Sequence, residues 1–402
     1  MHKILLFVLA LLLIFGCLPA VGGEQAPLLL TLGDSISMGF GLEQPESQSY
    51  GALGANTLGM QYESKAVIGY TAKDLLNRLQ KGKLDASIAD AKLIVITCGG
   101  NDLLNAFYTA LAELYNSEQA TELTYSDVFD IFAGHGGQLS VSDLTPYALR
   151  IIPDFPESEA FALALSEYCH AMFESGGVIS YIRSVNAEAT LFVANQYNPY
   201  LHAGGLSLIL GAPFESGIRK LNQAILQASE EGDFYVSDVY SDFAKSEENL
   251  CNCYMNFSGM DFDFHPNKEG HALIASRIET SYRQSLVGIA GYQMGQGSLR
   301  LVGYTDSIDY DTLQIEVSYV KDDGTSAKEY FQVEKVFEKL YGMRSEDLTE
   351  MLSARSEQMP FGYLFGIPFG SLPKKGSTVA VRITAWQNAV MVHRSESEFV
   401  FG

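Results

Sequence analysis

The sequence has few basic residues and no stretch in which they cluster. Its 402 residues include 26 Lys and Arg against 48 Asp and Glu, which gives a formal net charge of −22 at pH 7. A protein that binds nucleic acid through the phosphates needs a Lys/Arg-rich surface. The composition therefore argues against a nucleic-acid partner, and the excess of acidic residues is otherwise typical of a soluble surface.

The sequence also lacks internal repeats and low-complexity segments. Only 18% of its residues are charged, 47% are hydrophobic and 11% are aromatic. A chain of this composition can bury enough apolar surface to fold, so a largely disordered protein is excluded. Its length predicts two or three domains, each with a core of its own.

The five cysteines do not follow a metal-binding pattern. Cys251 and Cys253 are separated by one residue, which is not the spacing of a zinc knuckle, and no second pair completes a site. Cys98 follows an apolar strand pattern and is expected to be a buried thiol. The sequence predicts neither a metal site nor an organic cofactor.

The N-terminus carries an apolar run too short to cross a bilayer. Residues 4–15 are uninterrupted hydrophobic residues after Lys3, which suits the core of a secretory signal over residues 1–23. The segment 14–17 resembles a bacterial lipobox, in which Cys17 would be lipidated and anchor the protein to a membrane. Residues 20–22 offer an alternative cleavage site for soluble secretion. Either route predicts a protein located outside the cytoplasm, secreted or held at the cell surface.

Strand and helix patterns alternate through residue 287. Apolar runs at 28–32, 93–97 and 190–194 are typical of strands buried on both faces, and shorter runs near 66–68 and 234–236 are expected to complete the sheet. Amphipathic helical patterns lie between them, at about 72–81, 159–183, 215–230 and 268–285. This alternation predicts an α/β domain over residues 24–287, with a parallel sheet between two layers of helices.

Two regions depart from that alternation. The stretch of about residues 103–158 is rich in Tyr, Phe, Asp and Thr, and we interpret it as an insertion that shapes the substrate site. Residues 288–297 contain several glycines and are predicted to be a linker.

The C-terminal part, residues 298–402, shows a different periodicity. Apolar and polar residues alternate strictly from Leu313 to Tyr319 and again from Val379 to Ala385, which predicts an antiparallel β-sandwich. A helix is expected at 344–355. This domain would be a spacer or a module that binds carbohydrate or a partner, although the single Trp386 is a poor basis for a sugar platform.

Residues able to do chemistry follow three strands of the predicted parallel sheet. Gly33-Asp34-Ser35 comes after the first strand, Gly69 after a second, and Gly99-Gly100-Asn101-Asp102 after a third. The carboxyl ends of parallel strands meet at one edge of a sheet, where such folds bind ligands. Ser35 could act as a nucleophile there, while the Ser35 and Gly69 backbone N–H groups and the Asn101 amide could stabilise an oxyanion. The alternative interpretation is a helix cap and ordinary turns.

A histidine near the end of the large domain could activate the serine. His265 follows Asp261 and Asp263, and a nucleophilic serine needs a base that is oriented by an acid. The alternative role for His265 is helix entry before Pro266. His271 is a second candidate base, but at 3.6 residues per turn it is expected to face elsewhere.

Taken in order, these blocks resemble the SGNH, or GDSL, hydrolase family over about residues 26–287. The resemblance implies a three-layer α/β/α, flavodoxin-like fold, with Ser35 as nucleophile and His265 as base. It also implies an oxyanion hole formed by the Ser35 N–H, the Gly69 N–H and the Asn101 side chain. The family's acid stands three residues before the histidine, where this sequence has Phe262. Asp263 is our preferred acid, Asp261 is the alternative, and a Ser–His dyad oriented by a backbone carbonyl is a third possibility.

The function expected from the sequence is an exported serine esterase that needs no cofactor. Its substrate would be a small-molecule, glycan or lipid ester, since fold alone does not select among them. Two alternatives stay open: an O-acyltransferase that uses the same residues on a glycan, and a cell-surface binding protein whose catalytic site has decayed.

Overall fold

The computed structural model describes residues 26–132, 135–295, 298–305, 307, 310–332, 363–368 and 370–401. The predicted signal segment 1–23, Cys17 and the predicted helix 344–355 lie outside these ranges. Within them, no helix is both long and apolar enough to cross a membrane.

A five-stranded parallel sheet forms the centre of the described part of the chain that precedes Val287, which we call the first half; the part from Val287 onward is the second half. The strands of this sheet are β1 (Leu28–Gly33), β2 (Gln61–Ser64), β3 (Ala91–Thr97), β4 (Thr190–Ala194) and β5 (Tyr235–Ser237). Their spatial order is β2-β1-β3-β4-β5, and every pair is parallel. This is the flavodoxin-like order of doubly wound sheets, in which the direction of winding reverses between β1 and β3.

The strand predicted near 66–68 lies earlier than expected, at Gln61–Ser64. As the edge strand of the sheet, β2 has polar, partly exposed residues, so an apolar run does not identify it. The chain beyond it stays beside β1, since the Lys65 and Val67 N–H groups donate to Thr31 O and Gly33 O at 2.9 and 3.0 Å. The apolar run therefore belongs to the loop that extends this strand.

Thirteen α-helices lie within the described residues. They are α1 (Ser35–Met38), α2 (Pro45–Gln48), α3 (Tyr50–Leu58), α4 (Ala72–Leu79), α5 (Asp85–Asp90), α6 (Gly100–Gln119), α7 (Tyr125–Phe132), α8 (Val141–Ile151), α9 (Glu159–Phe173), α10 (Val178–Val185), α11 (Ala212–Glu231), α12 (Val239–Lys245) and α13 (Lys268–Ser285). A 3₁₀ turn at Phe155–Glu157 and a π-helical turn at Ser207–Gly211 complete the helical elements. The single pattern predicted over 159–183 is two helices, separated near Gly176, where φ is +83°.

The central sheet is covered on both faces. Alternate residues of each strand point to opposite sides, so Leu29, Val95 and Phe192 join one apolar cluster while Leu30, Ile94 and Val193 join another. Helices α3, α6 and α13 contribute to the first cluster, and α4, α9, α10 and α11 contribute to the second. The predicted α/β/α architecture is confirmed.

The predicted insertion is helical rather than a loop. Helices α6, α7 and α8 fill most of it, and their buried side chains, among them Leu111, Val128 and Leu144, belong to the first apolar cluster. The segment is therefore packed against the body of the domain.

The C-terminal part is antiparallel, as its alternating pattern predicts. Its main strands are β8 (Val287–Gly295), β9 (Ser298–Thr305), β10 (Thr312–Val320), β11 (Ser326–Gln332), β12 (Tyr363–Pro368), β13 (Thr378–Gln387) and β14 (Val390–Val400). One sheet has the order β11-β10-β13-β14 and the other β12-β9-β8. Both contribute to one apolar cluster that includes Leu301, Leu313 and Val381. A separate short hairpin, β6 (Tyr254–Asn256) with β7 (Gly259–Asp261), belongs to the first half of the chain.

The predicted linker at 288–297 is wrong, because β8 begins directly after α13 and runs through Gly295. It pairs antiparallel with β9, and the register shifts between Ile289 and Gly291. Glycine in a strand often marks such an irregularity. Gly291 and Gly295, two of the glycines that suggested a linker, are therefore part of a strand with an irregular register, and residues 296–297 lie outside the described ranges.

The two halves meet at β5, an edge strand of the central sheet. The Tyr235 hydroxyl donates to Arg394 O at 2.9 Å, and the Arg394 guanidinium donates to Glu230 O at 3.0 Å. Val390, at the start of β14, is buried in the second apolar cluster. The last strand of the chain thus packs against an edge that would otherwise be open to pairing.

Candidate active site

Ser35 lies at the point where β1 gives way to α1. Gly33 ends the strand at φ +112°, and a Cβ added there would lie 1.8 Å from Thr97 O, so only glycine fits. Asp34 then caps α1, because its Oδ1 accepts hydrogen bonds from Ile36 N at 3.1 Å and from the Thr97 hydroxyl at 2.7 Å. These contacts present Ser35 as the first residue of a helix at the carboxyl end of the sheet.

Asp34 is buried next to the serine. Burial raises the pKa of its carboxyl to about 6, although the hydrogen bonds from Thr97 and Ile36 act in the opposite direction. Both bonds go to one carboxylate oxygen. These contacts indicate that Asp34 stabilises the turn between β1 and α1, where Ser35 lies.

His265 is within hydrogen-bond distance of the serine. Its Nε2 lies 2.8 Å from Ser35 Oγ, and its Nδ1 lies 2.5 Å from Asp263 Oδ1. A carboxylate accepts hydrogen bonds and does not donate them, so the proton belongs on Nδ1. In that tautomer Nε2 has a lone pair for the Ser35 O–H.

Asp263 is the carboxylate that the structure brings to the imidazole. Burial tends to raise its pKa, but hydrogen bonds from His265 and Asn252 outweigh burial and the pKa is lowered. Asp261 is exposed at the end of β7 and accepts a hydrogen bond from Asp263 N at 2.9 Å. The geometry favours the acid two residues before His265 over the one four residues before it.

Sequence reasoning missed Asn252. Its Nδ2 donates to Asp263 Oδ2 at 3.0 Å, and its backbone N–H donates to His265 O at 3.0 Å. The second carboxylate oxygen of Asp263 is thereby engaged. The signal in the sequence is that Asn252 stands between Cys251 and Cys253, a motif that does not have the spacing of a metal site.

The cysteines beside Asn252 are buried free thiols. Cys253 Sγ donates to Pro199 O at 3.1 Å, and burial raises the pKa of the Cys251 thiol well above its ordinary value. Cys98 is fully buried, as predicted. Among the described residues, no group of three His, Cys, Asp or Glu side chains could hold a metal ion.

Two phenylalanine rings flank the imidazole. The ring centroids of Phe40 and Phe264 each lie 4.6 Å from that of His265, and His265 is 9% exposed. The rings limit the positions that the imidazole can adopt and reduce its contact with water.

Two of the predicted oxyanion donors, Gly69 and Asn101, belong to segments that are hydrogen-bonded to each other. Asn101, in the first turn of α6, donates from Nδ2 to Tyr70 O at 3.0 Å, and Asp102 accepts from Ala72 N at 3.1 Å. An amide nitrogen carries two hydrogens, so Asn101 keeps one for a ligand. Gly69 precedes Tyr70 at φ +75°, with no heavy atom within 4 Å of an added Cβ. Burial raises the pKa of Asp102 to about 7.

His271 is part of the core. It is fully buried on α13, and its Nδ1 accepts a hydrogen bond from Tyr50 N at 3.3 Å. Burial lowers its pKa to about 4. As the helical spacing predicted, it does not share the position of His265.

An apolar cavity of about 120 Å³ opens beside Ser35. One side is lined by Asp34, Gly100 and Asn101. Part of the wall comes from the predicted insertion, through Leu103, Leu104, Phe107, Ile152, Phe155 and Pro156. The insertion therefore lines the space next to the serine.

Comparison with known proteins gives one family match. The model of the GDSL-like lipase/acylhydrolase family matches residues 31–273, more than half of the chain. No match is found among curated proteins.

Several solved structures are similar to part of the chain. The lipase Lip_vut3 from a goat rumen metagenome is 18% identical, over 63% of this chain and 96% of that one, with a TM-score of 0.36. A lipolytic protein of the G-D-S-L family from Veillonella parvula is 15% identical, over 63% and 96%, with a TM-score of 0.32. The salicylyl-acyltransferase SsfX3 from a tetracycline biosynthetic pathway is 16% identical, over 63% and 54%, with a TM-score of 0.29.

Proposed function

The chain belongs to the GDSL-like lipase/acylhydrolase family, and from that premise we propose that it hydrolyses carboxylic esters through an acyl intermediate on Ser35. The observation that carries the proposal is the 2.8 Å contact between His265 Nε2 and Ser35 Oγ. These residues are separated by 230 positions in the sequence. A chance surface contact does not account for a buried serine, an imidazole and a carboxylate in one chain of hydrogen bonds.

In the proposed first step, Ser35 Oγ attacks the ester carbonyl while His265 Nε2 takes its proton. Asp263 keeps the Nδ1 proton in place and stabilises the imidazolium that forms. The negative charge that develops on the carbonyl oxygen would be stabilised by the Ser35 and Gly69 N–H groups and the free Asn101 N–H.

In the second half of the cycle, the tetrahedral intermediate collapses and its C–O bond breaks. The leaving alcohol takes the proton from His265, and the acyl group remains on Ser35. Water then attacks the acyl-enzyme, His265 accepts its proton, and the carboxylic acid leaves as Ser35 regains a hydrogen. The residues present supply every proton transfer in this cycle.

The test uses the purified full chain, a fluorophosphonate probe and p-nitrophenyl esters. Wild type should be labelled at Ser35 and should turn over the ester. Ser35→Ala should lose the label and lower turnover at least about 10⁴-fold, as in other serine hydrolases. The control Ser47→Ala changes an exposed serine and should retain both signals.

The products of the same reaction separate the remaining functions. Free carboxylic acid supports hydrolysis, whereas an ester formed on an added glycan alcohol would indicate acyl transfer by the same residues. Labelling that persists in Ser35→Ala would remove Ser35 from the mechanism. Absence of labelling and turnover in the wild type would indicate a binding protein.

We propose export on the sequence pattern alone, because residues 1–23 lie outside the described ranges. Lipidation at Cys17 would anchor the enzyme to a membrane surface. Mass spectrometry of the mature chain tests this proposal: Cys17→Ser should abolish a diacylglyceryl adduct. A wild-type chain that begins near Glu24 would contradict the anchor and support soluble secretion.

A further inference from the structure

The cavity beside Ser35 offers an apolar surface and few free polar groups. Two of the polar side chains in its wall already have partners: Gln196 Nε2 donates to Cys98 O at 3.3 Å, and the Tyr197 hydroxyl donates to Phe264 O at 3.2 Å. The remaining wall is largely aromatic and aliphatic, with Leu104, Phe107 and Ile218 among its members. Such a wall suits a hydrocarbon group better than a sugar or a charged group.

One wall of the cavity depends on a glycine in the middle of a helix. Gly217 lies within α11 and lines the cavity. A Cβ added there would lie 3.2 Å from Phe161 Cε2 and 3.8 Å from Pro156 Cγ. Glycine is unfavourable in a helix interior, so its presence is explained by the close approach of α11 to Phe161. A methyl group at this position would crowd Phe161, which also lines the cavity, and would change the shape of this wall.

We propose that this cavity is the acyl subsite and that it selects a short chain of about four to six carbons or a single aromatic ring. This proposal rests on the proposed function, because the acyl group is placed by its bond to Ser35. The size follows from volume: an apolar cavity of roughly 150 Å³ holds one benzene molecule, and this one measures about 120 Å³. An acetyl group leaves most of it empty, and a palmitoyl chain exceeds it.

The volume of the cavity also predicts how kcat/KM changes with the length of the acyl chain. Burying one methylene group is worth about a fourfold change in an equilibrium or rate ratio. The value of kcat/KM should therefore rise about fourfold per carbon from acetate and reach on the order of a hundredfold at hexanoate. It should fall again for dodecanoate and palmitate, whose chains cannot be contained.

The experiment measures kcat/KM of the full chain for p-nitrophenyl esters from acetate to palmitate, each in monomeric solution. Gly217→Ala should lower the hexanoate-to-acetate ratio of kcat/KM at least fourfold. Gly54→Ala is the matched control: Gly54 also lies in a helix, and its added Cβ would meet only Leu29 Cδ1 at 3.8 Å and Ala275 O at 4.0 Å. That control should leave the profile unchanged.

A second variant keeps the test decisive if Gly217→Ala disturbs folding. Ile152→Ala removes a side chain from the wall supplied by the insertion and should move the optimum one or two carbons toward longer chains. A flat profile, or an optimum at palmitate, with turnover that still requires Ser35 would overturn the acyl subsite and leave the esterase intact. If the wild type turns over none of the esters and is not labelled by the fluorophosphonate probe, the proposed function itself is overturned.

Discussion

The two halves of the molecule bury apolar strands in different ways. In the parallel sheet, β1 and β3 are buried on both faces along nearly their whole length. In the antiparallel part, β10 and β13 are buried at alternate positions. Parallel strands between helical layers all end at one edge, whereas antiparallel strands end at alternate edges.

Because the parallel strands end at one edge of their sheet, the buried polar side chains of the first half lie close together. Ser35, Ser37, Thr97, Asn195 and His265 are all buried near the carboxyl ends of the parallel strands or in the loops beyond them. From Val287 onward, among the residues whose side chains the structure describes, Thr305 and His393 are the only buried polar ones. A buried polar group must be hydrogen-bonded. In the first half, the partners for such groups lie together at the carboxyl ends of the parallel strands. We therefore expect the chemistry to reside in the first half and the second half to contribute stability.

The largest expected effect is a loss of turnover caused by a single substitution in the first half. Asp263→Asn should lower kcat about 10⁴-fold, because an amide cannot stabilise the imidazolium and favours the wrong tautomer. Steady-state kinetics with a p-nitrophenyl ester provides the measurement. Asp261→Asn keeps the oxygen that accepts from Asp263 N and should stay close to wild type. A larger loss in Asp261→Asn would reverse the assignment.

A matched pair of core substitutions separates stability from activity. Ile94 in β3 and Ile383 in β13 are both at most 1% exposed, and each change to Ala should lower the free energy of unfolding by about 2–5 kcal/mol. Urea unfolding measures this loss. At 25 °C Ile383→Ala should retain wild-type kcat/KM. A folded Ile383→Ala protein with impaired turnover would show that the second half takes part in catalysis.

Two buried histidines, one in each half, predict a pH-dependent loss of stability. Burial lowers the pKa of His271 and of His393 from 6.5 to about 4. Between these values the unfolded chain binds a proton more readily at each histidine, so the histidine contribution to the free energy of unfolding falls as the pH decreases from 6.5 to 4. The raised pKa values of the Asp34 and Asp102 carboxyls act in the opposite direction, which is why the histidines are tested by substitution. Each histidine contributes about 3 kcal/mol to that fall.

The measurement is denaturant unfolding at pH 7 and pH 4.5 for the wild type, His271→Gln and His393→Gln. Each variant should lose part of the pH dependence, and the exposed His202→Gln should lose none. A pH dependence that is unchanged in both buried variants would contradict the assignment.

The smallest effects come from ion pairs. Arg277 donates twice to Asp242 at 2.6 Å, and both side chains are about 15% exposed. Arg277→Met should cost about 2–3 kcal/mol, because it leaves a partly buried carboxylate without its partner. The pair of Arg382 with Glu396 is half exposed, and Arg382→Met should cost less free energy of unfolding than Arg277→Met, because water already screens both charges. Equal losses in thermal or urea unfolding would contradict this ranking.

Much of the fold could be predicted because its signals are local. The apolar runs of β1, β3 and β4 and the alternation in β10 and β13 are direct consequences of burial on two faces or on one. The predictions of secondary structure were wrong where pairing between strands decides the structure. β2 is a polar edge strand, and the segment predicted to be a linker is the strand β8, which pairs with β9. Hydrogen bonds to a neighbouring strand leave little trace in the composition of a segment.

The sequence by itself determined the family, the order of the chemical blocks and the residue types in them, because each block is a short run of neighbouring residues. It left Asp261 and a Ser–His dyad open beside the preferred Asp263, and it did not identify Asn252 or reveal the cavity wall at Gly217. Those depend on distances between segments as far apart as positions 35, 161 and 265. Only the tertiary structure determines them, since packing of the helices and loops around the sheet sets which side chains come within 3 Å of one another.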